Sequence, residues 1–407
     1  MRKTIAIIAS LDTKGVEVAF AKELIAQWGL NTLLIDVGVR RNPEIDPDVT
    51  SQDVLASCGL TWDQIAHIEK RKRIELMSKA IAQKIVDLYE NKEFDAVFSM
   101  GGIQNTLMAA SAMKMLPVGI PKLILSTMAS GQRLFGPFIG TKDIAIMHSV
   151  ADISGINMIT KSVISTAIAA IAGMTAHGLG PIIKPENTVV GATMLGVTSG
   201  SVTAAAQAMQ NSGFETVSFH ATGVGGSAME DFIAQGVIRA TLDMTLHEIT
   251  SEVLGGYCSG ASGRLLAAAK AGIPQVIVPG AVDMISCCTD FGTDSFPSDW
   301  QTRKQVLHNS SLIHLKVLRA EIIKIAEVIA ERLNQCTGPA TVLIPLRGFC
   351  EASAPGKALH DPEVDQAFIT SLKSRIDPKI KWIEADLNIS QPELGKLAAT
   401  ELLRYLA

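Results

Sequence analysis

The sequence predicts an α/β protein made of two doubly wound, Rossmann-like parallel-sheet domains that face a cleft. Short β-rich runs alternate with helical apolar periods, which is the order that parallel strands and their crossover helices produce. The alternation stops at the Gly- and Pro-containing segment 178–187 and then begins again. The 407 residues also exceed the roughly 250–300 residues at which a single core stops growing. We therefore predict one domain over residues 1–180 and a second over 187–407.

The first domain is predicted to begin with a strand at residues 5–9 and a helix near 16–28, and a small-residue helix over 159–175 closes it. The other strands predicted in this domain are residues 32–37, 96–100, 122–126 and 144–147. The basic run 70–73 opens a further helix with an apolar face. We interpret this run as a solvated helix start, with a phosphate or partner contact as the alternative.

The second domain repeats the pattern. Its predicted strands are residues 188–195, 216–220, 275–278 and 340–344, and an Ala-rich helix follows the first of them. A long helix precedes the last strand. Its apolar face is predicted to contain Leu315, Leu318, Ile322, Ile325, Ile329 and Leu333.

Composition limits the classes of function. Apolar residues make up 47% of the chain and charged residues 19%, which indicates a large core. The formal charge of -4 provides no general field for nucleic acid or an anionic membrane. The six cysteines form no C-x-x-C pair, and the first strand follows too closely on Met1 for a signal peptide, so we expect a reduced, cytoplasmic protein. The uncharged stretch 162–183 is broken by Gly and Pro, and we expect a buried helix there instead of a membrane span.

Three polar loops follow predicted strands of the first domain. Because the carboxyl ends of parallel strands share one sheet edge, we expect these loops to converge on a ligand. Helix starts offer unpaired N–H groups to a phosphate, and glycines let it approach the backbone closely. The candidate residues are Asp12, Thr13, Lys14, Gly101, Gly102, Gln104, Asn105, Thr106, Ser130 and Gly131. Asp143, Asp152 and Asn157 are candidates to orient a ribose or metal-bound water.

Alternatives remain for these loops. Asp12 or Thr13 can instead cap a helix. Neither G-x-G-x-x-G nor G-x-x-x-x-G-K-[ST] occurs there, so the dinucleotide and Walker patterns are not supported.

Two small-residue loops of the second domain suit an anion in the same way. The first contains Thr222, Gly223, Gly225 and Gly226, directly after His220, and the second contains Arg264, a candidate bidentate clamp. Ordinary turn chemistry is the alternative for the glycines. The carboxylates of Asp243, Glu248, Glu252 and Asp283 fit metal or general-base roles, or else caps and salt bridges. The histidines show no zinc spacing, and no G-x-S-x-G nucleophile elbow occurs.

These residues resemble a known family. The matching stretches are residues 11–15, 36–38, 129–131, 149–152, 155–157, 219–226, 271–276, 279–284, 308–309 and 345–348. They resemble, over essentially the full length, the ATP-binding family typified by the tomato mosaic virus resistance inhibitor of RNA replication. The family's Gly-Gly-Ser-Gly-Gly-Thr-like loop is Gly-Gly-Ile-Gln-Asn-Thr at 101–106. The resemblance implies two α/β domains and a nucleotide ligand, and for the plant member binding to a viral replication protein.

Three functions are therefore expected. The first is a cytoplasmic, homodimeric nucleotide-binding protein with ATP as ligand and Mg²⁺ as its companion. The second comes from a fold-level likeness of the second half to two-Rossmann glycosyltransferases and sugar-nucleotide epimerases. It is an enzyme with substrate between the domains and Asp283, Glu248, His220 or His308 transferring protons. The third is an interaction module in which nucleotide only orders the cleft.

Overall fold

The computed structural model describes residues 2–40, 42–129, 136–182, 185 and 187–407. The chain divides into two compact units, Met1–Ile182 and Ile183–Ala407, and this division falls inside the segment predicted to join two domains. Each unit has its own parallel sheet and its own core, as the sequence predicts for the fold class.

Unit 1 is a doubly wound sheet. Its strands are β1 (Thr4–Ala9), β2 (Asn31–Asp36), β3 (Ala96–Gly101), β4 (Lys122–Ser126) and β5 (Ala145–His148). They pair in parallel in the order β2-β1-β3-β4-β5. Its helices are α1 (Leu11–Gln27), α2 (Ser51–Ala56), α3 (Trp62–Ile65), α4 (Lys70–Glu90), α5 (Ile103–Met113), α6 (Gly136–Ile139) and α7 (Met158–His177).

The sheet of unit 1 is covered on both faces. Successive side chains of β1 point to opposite faces, so Ile5 and Ile7 pack in one core while Ala6 and Ile8 pack in the other. α4 begins at the basic run and buries Met77 against the sheet, as predicted. α7 is the one described helix that is long and apolar enough, by length and composition alone, to span a membrane. Its residues Ile164 and Ile168 are buried in the core of unit 1.

Unit 2 contains two sheets. Its strands are β6 (Val189–Met194), β7 (Glu215–His220), β8 (Ile238–Asp243), β9 (Gln275–Ile277), β10 (Met284–Cys288), β11 (Gln305–Leu307), β12 (Leu312–Lys316), β13 (Ala340–Pro345) and β14 (Lys381–Ala385). Six of them form a parallel sheet in the order β14-β13-β9-β8-β6-β7, and the other three form an antiparallel sheet in the order β10-β12-β11. The helices are α8 (Ser199–Asn211), α9 (Gly225–Ala234), α10 (His247–Leu254), α11 (Leu266–Ala271), α12 (Arg319–Leu333), α13 (Pro362–Arg375) and α14 (Pro392–Leu406).

The antiparallel sheet is absent from the sequence prediction. Leu315, which was assigned to the long helix, lies in β12, and Leu318 is the residue before α12. The helical spacing of Leu315, Leu318 and Ile322 is coincidental, because the strand ends two residues before the helix cap and both elements bury their apolar residues in one core.

Candidate functional site

The strand order of unit 1 reverses between β1 and β3. In open parallel sheets, ligands bind outside the carboxyl ends of the strands at such a reversal. The loops after β1 and β3 contain the predicted residues Asp12, Thr13 and Lys14 and the predicted run 101–106, so the fold brings two of the three predicted loops to one place. The third pair, Ser130 and Gly131, lies outside the described residues.

The start of α1 is already occupied by carboxylates of the protein. The backbone N–H of Leu11 donates to Asp36 Oδ1 at 3.1 Å, and that of Gly15 donates to Glu44 Oε2 at 2.9 Å. Burial raises the pKa of Asp36 above its usual value. The Nζ of Lys14 donates to the carbonyl of Ile153. These donors were predicted to hold a phosphate, and the structure instead pairs them within unit 1.

Asp12 and Thr13 do not form the predicted cap either. The cap position of α1 is Ser10, which makes no side-chain capping bond. Asp12 Oδ2 accepts the backbone N–H of Arg40 at 2.9 Å, and Thr13 Oγ1 donates to the carbonyl of Ser10 at 3.3 Å. The carboxylate of Asp12 is partly exposed at this sheet edge.

The start of α5 is different. Its cap residue is Gly102, no side chain caps it, and its first turn contains no acidic residue. Within the described chain, the backbone N–H groups of Ile103 and Gln104 have no acceptor. A helix start carries partial positive charge on such groups. This start therefore differs from that of α1, where carboxylates of the protein accept from the backbone N–H groups.

The side chains of Asn105 and Thr106 form hydrogen bonds that stabilise the turn between β3 and α5. Asn105 is buried, its Oδ1 accepts the backbone N–H of Ser10 at 3.0 Å, and its Nδ2 donates to Ser99 Oγ and to the carbonyl of Met100, both at 2.8 Å. Thr106 Oγ1 lies 2.8 Å from Ser126 Oγ. The predicted ligand residue Asn105 thus links the end of β1 to the end of β3, and its amide is fully used by the protein.

The three candidates near β5, Asp143, Asp152 and Asn157, do not lie together in one site. Asp143 precedes β5 and pairs with Lys122 Nζ at 2.6 Å, so it lies at the amino edge of the sheet, away from the predicted ribose. Asn157 is the cap of α7 and accepts the backbone N–H groups of Ile159 and Thr160, both at 3.0 Å. Asp152 is exposed in the loop after β5.

In unit 2, Glu248 and Arg264 form a sealed ionic cluster. Both side chains are fully buried, and Arg264 donates to Glu248 Oε2 and to both oxygens of Asp243, at 2.6 and 2.8 Å. Glu248 Oε1 accepts the backbone N–H groups of Gly223 at 2.8 Å and Gly226 at 3.2 Å. The predicted anion loop and its arginine clamp therefore bind carboxylates of the protein itself.

Gly225 and Gly226 cannot carry a side chain, because other groups of the protein lie too close to their Cα atoms. A Cβ on Gly226 would lie 1.9 Å from Glu248 Oε2, and one on Gly225 would lie 1.9 Å from the carbonyl oxygen of His220. Glu230 closes the cluster by accepting the backbone N–H groups of Leu265 and Ala267 at 2.6 and 2.7 Å. Burial raises the pKa of Glu230 to about 7, although Arg264 lowers it.

Asp283 is also placed differently from the prediction that it faces a cleft. It is fully buried, and its Oδ2 accepts Lys316 Nζ at 2.8 Å. Lys316 also donates to Asp365 at 2.9 Å. Of the four predicted catalytic residues, Asp283 and Glu248 are therefore enclosed in ion pairs.

The other two, His220 and His308, line a cavity of about 340 Å³. The parallel sheet of unit 2 reverses its order between β6 and β8, and the loop after β6 supplies one wall of this cavity. The complete lining is Leu195, Gly196, Val197, His220, Thr222, Tyr257, Cys258, Ser286, His308, Leu312 and His314. A second cavity of about 300 Å³ shares Val197, His308 and His314 with it.

A hydrogen-bonded chain of side chains ends at this cavity. His247 Nδ1 lies 3.0 Å from the carbonyl of Ala281, and its Nε2 lies 2.9 Å from Ser286 Oγ. Ser286 Oγ lies 3.0 Å from His314 Nδ1. Sequence reasoning missed His247, Ser286 and His314. They are far apart along the chain, and only the pairing of β10 with β12 sets Ser286 opposite His314.

Family models match both halves of the chain. The Uncharacterised protein family (UPF0261) N-terminal domain matches residues 3–179, and the C-terminal domain of the same family matches residues 187–406. The chain belongs to the UPF0261 family.

UPF0261 relatives occur in bacteria and in a plant. A UPF0261 protein of Clostridium tetani is 37% identical over 411 residues, covering 100% of both chains. One from Mesorhizobium japonicum is 31% identical, covering 98% of both. The ToMV resistance protein Tm-1(GCR237) of Solanum lycopersicum is 35% identical over 392 residues, which is 91% of this chain and 51% of that protein. The resemblance read from the sequence motifs is confirmed.

Among solved structures, this UPF0261 chain is similar to the glycosyltransferase SnogD from Streptomyces nogalater, with 8% identity, a TM-score of 0.22 and coverage of 100% of both chains. It is also similar to Methanocaldococcus jannaschii UDP-GlcNAc 2-epimerase, with 9% identity, a TM-score of 0.22 and coverage of 99% of both.

Proposed function

We propose that this UPF0261 protein binds a nucleotide, ATP, with its phosphates at the start of α5 in unit 1. The observation that carries the proposal is the uncapped start of α5 at the strand reversal. There the N–H groups of Ile103 and Gln104 have no acceptor in the described chain, and Gly102 leaves the backbone open. The neighbouring start of α1 contributes less, because Asp36 and Glu44 occupy it.

A magnesium ion would enter together with the phosphates. Among the described residues, no group of three or more His, Cys, Asp or Glu side chains is arranged to hold a metal ion. Mg²⁺ commonly keeps several waters and takes one or two carboxylates plus substrate phosphates. The partly exposed carboxylate of Asp12 is the group we assign to it, because it lies at the same sheet edge.

Substitution of Gly102 tests the proposed phosphate position. Gly102→Asp places a capping carboxylate on the free N–H groups of α5, so we expect ATP affinity to fall at least about 10-fold while the fold is retained, since Asp is a good cap residue. Isothermal titration calorimetry with ATP and Mg²⁺ measures this. Gly102→Ala is the matched control. Among the described residues, its Cβ would meet Thr127 Oγ1, at 3.7 Å, and it adds no charge.

Equal affinity for ATP in the Gly102→Asp variant and the parent protein, or no binding by the parent, would contradict the proposal. The same titration with a UDP-sugar tests the alternative, a sugar-nucleotide enzyme. His220 and His308 remain available to that alternative, whereas Asp283 and Glu248 are enclosed. Binding of ATP with no release of phosphate over hours would instead favour the interaction module.

A further inference from the structure

We propose that the cavity of unit 2 is a proton-transfer site in which the Nε2 atom of His314 is the base. Ser286 and His247 are positioning residues that hold His314 in one tautomer. This inference is independent of the nucleotide proposed for unit 1, because every residue that it uses lies in unit 2.

The proton positions follow from the end of the chain of hydrogen bonds. The carbonyl of Ala281 can only accept, so His247 Nδ1 must carry the proton that lies between them. In neutral His247 the Nε2 atom is then an acceptor, and the hydroxyl of Ser286 must donate to it. The single hydroxyl proton of Ser286 is then used, so Ser286 Oγ can only accept at its other contacts, and His314 Nδ1 donates to it. Neutral His314 consequently has its lone pair on Nε2.

Both histidines are neutral at physiological pH in this arrangement. Burial lowers the pKa of His247 to about 4 and that of His314 to about 4. The other titratable side chains that line the cavity are His220, Tyr257, Cys258 and His308. The ring of His308 lies 5.1 Å from that of His314, and burial raises the pKa of the Cys258 thiol to about 12. Glu351 and Lys357 line the adjoining 300 Å³ cavity. The Nε2 atom of His314 is therefore unprotonated at neutral pH and becomes protonated only as the pH falls towards 4, although a pKa this low also makes His314 a weak base.

The residue at the other end of this hydrogen-bonded chain, Ala281, has a strained backbone conformation. Ala281, whose carbonyl orients His247, has a φ of +55°. A residue with a Cβ is strained in the left-handed region, and such strain clusters at functional sites. The strained carbonyl and the direct cross-strand pairing of Ser286 with His314 fix the geometry from two independent elements.

The lining defines the class of substrate. None of the eleven described residues that line the 340 Å³ cavity is Lys, Arg, Asp or Glu. Its walls are apolar at Leu195, Val197 and Leu312 and polar at Thr222 and Tyr257, so a small, uncharged molecule with a weakly acidic C–H or O–H group fits. His314 Nε2 takes that proton. The substrate retains the bonding electron pair as an anion, and the imidazolium returns the proton to the substrate or to water.

The probe for this site is 5-nitrobenzisoxazole, a small, uncharged aromatic molecule. A base removes its C3 proton, the electron pair forms the nitrile, and the N–O bond breaks to release a coloured phenolate. We expect the full chain to catalyse this reaction with saturation. The rate should rise with an apparent pKa near 4 and be constant at neutral pH. His314→Gln should lower kcat about 100-fold or more, as is usual for loss of a general base.

The matched control is His360→Gln, because His360 lies in unit 2 but lines neither cavity. We expect its kcat and KM to equal those of the parent protein. Absence of saturable turnover, an apparent pKa near 6.5, or full activity of His314→Gln each overturns the proposal.

The positioning role of Ser286 has its own readouts. Ser286→Ala should lower kcat without changing KM, and Ser286→Thr should restore much of it, because Thr retains the hydroxyl. In protein labelled with ¹⁵N at histidine, the His314 Nδ1 signal should be that of a protonated nitrogen and Nε2 that of a bare one. The opposite tautomer, or covalent labelling of Ser286 by a fluorophosphonate, would overturn the assigned roles.

Discussion

Individual buried charges hold the loops of unit 2 in place. Arg264 neutralises Asp243 and Glu248 in a site that water does not reach, and Glu248 in turn holds the loop that contains Gly223 and Gly226. Buried ion pairs contribute little net stability compared with apolar residues, but removal of one partner leaves an uncompensated charge. The cluster therefore specifies a loop conformation more than it adds stability.

Arg264→Met should lower the free energy of unfolding by about 3–5 kcal/mol at pH 8, because it leaves buried carboxylates without their cation. Urea unfolding at pH 8 measures this loss. Arg347→Met is the control, since Arg347 and Asp386 form an exposed pair whose removal should have little effect on the free energy of unfolding. Equal effects of the two substitutions would contradict this account of the cluster.

Glu230 should make stability depend on pH. Burial raises its pKa from 4.5 to about 7 in the folded state, so its contribution to stability is complete below pH 4.5 and is lost as the pH rises through 7. Glu230→Gln cannot titrate. The stability of this variant relative to the parent protein should rise by about 1.4 kcal/mol per pH unit between pH 5 and 7 and then level off. A difference that falls with pH would mean that Arg264 lowers the pKa instead.

α1, α5 and α7 each follow a strand of the sheet in unit 1, and their first N–H groups differ in whether a side chain accepts from them. At α1, the carboxylates of Asp36 in β2 and Glu44 in the following loop accept from backbone N–H groups. Asn157 caps α7, whereas no described side chain caps α5. The sequence predicts ligand residues at all three, because a polar residue at a helix start has the same pattern whether it binds a ligand or the helix itself.

Substitution of Asn157 separates these two roles. Asn157→Ala should lower the free energy of unfolding by about 1 kcal/mol through loss of the cap and leave ATP affinity unchanged. Asn157→Asp should retain the stability, since Asp caps as well as Asn. Thermal unfolding and calorimetry on the same samples measure both quantities. Loss of ATP affinity in a stable Asn157→Asp variant would return Asn157 to the ligand site.

Features that depend on a contiguous stretch of sequence are predicted correctly, whereas contacts between residues far apart in the sequence are not. β1 and α7 are long, uniform apolar patterns, and the structure places them within two residues of the predicted bounds. β10, β11 and β12 form an antiparallel sheet, which the alternation of parallel strands and crossover helices in the sequence does not predict. Their pairing joins Ser286 to His314 across 28 positions and to His247 across 39. No local pattern contains that information.

At the scale of the whole molecule, both units contain the same type of parallel sheet. Each unit has an open parallel sheet whose order reverses once, between β1 and β3 in unit 1 and between β6 and β8 in unit 2. Each reversal creates a crevice at the carboxyl ends of the strands. The two crevices differ in chemistry: the start of α5 has backbone N–H groups that suit an anion, whereas the cavity of unit 2 is lined by imidazoles and by no described Lys, Arg, Asp or Glu side chain. We therefore infer two separate ligand sites.

Hydrogen exchange measured by mass spectrometry on the full chain should distinguish the two sites. A ligand at 100 times its dissociation constant adds about 2.7 kcal/mol to the opening free energy of the region that it stabilises, which slows exchange there about 100-fold. ATP with Mg²⁺ should slow exchange in peptides from β3 and α5 and leave β10 and β12 unchanged. The unreactive analogue 6-nitrobenzotriazole should do the reverse, because the cavity lined by Ser286 and His314 would hold it. Gly102→Asp and His314→Gln are the two reciprocal controls, since each should abolish only one of the protection patterns. If either ligand protected both sets of peptides equally, the inference of two independent sites would be wrong.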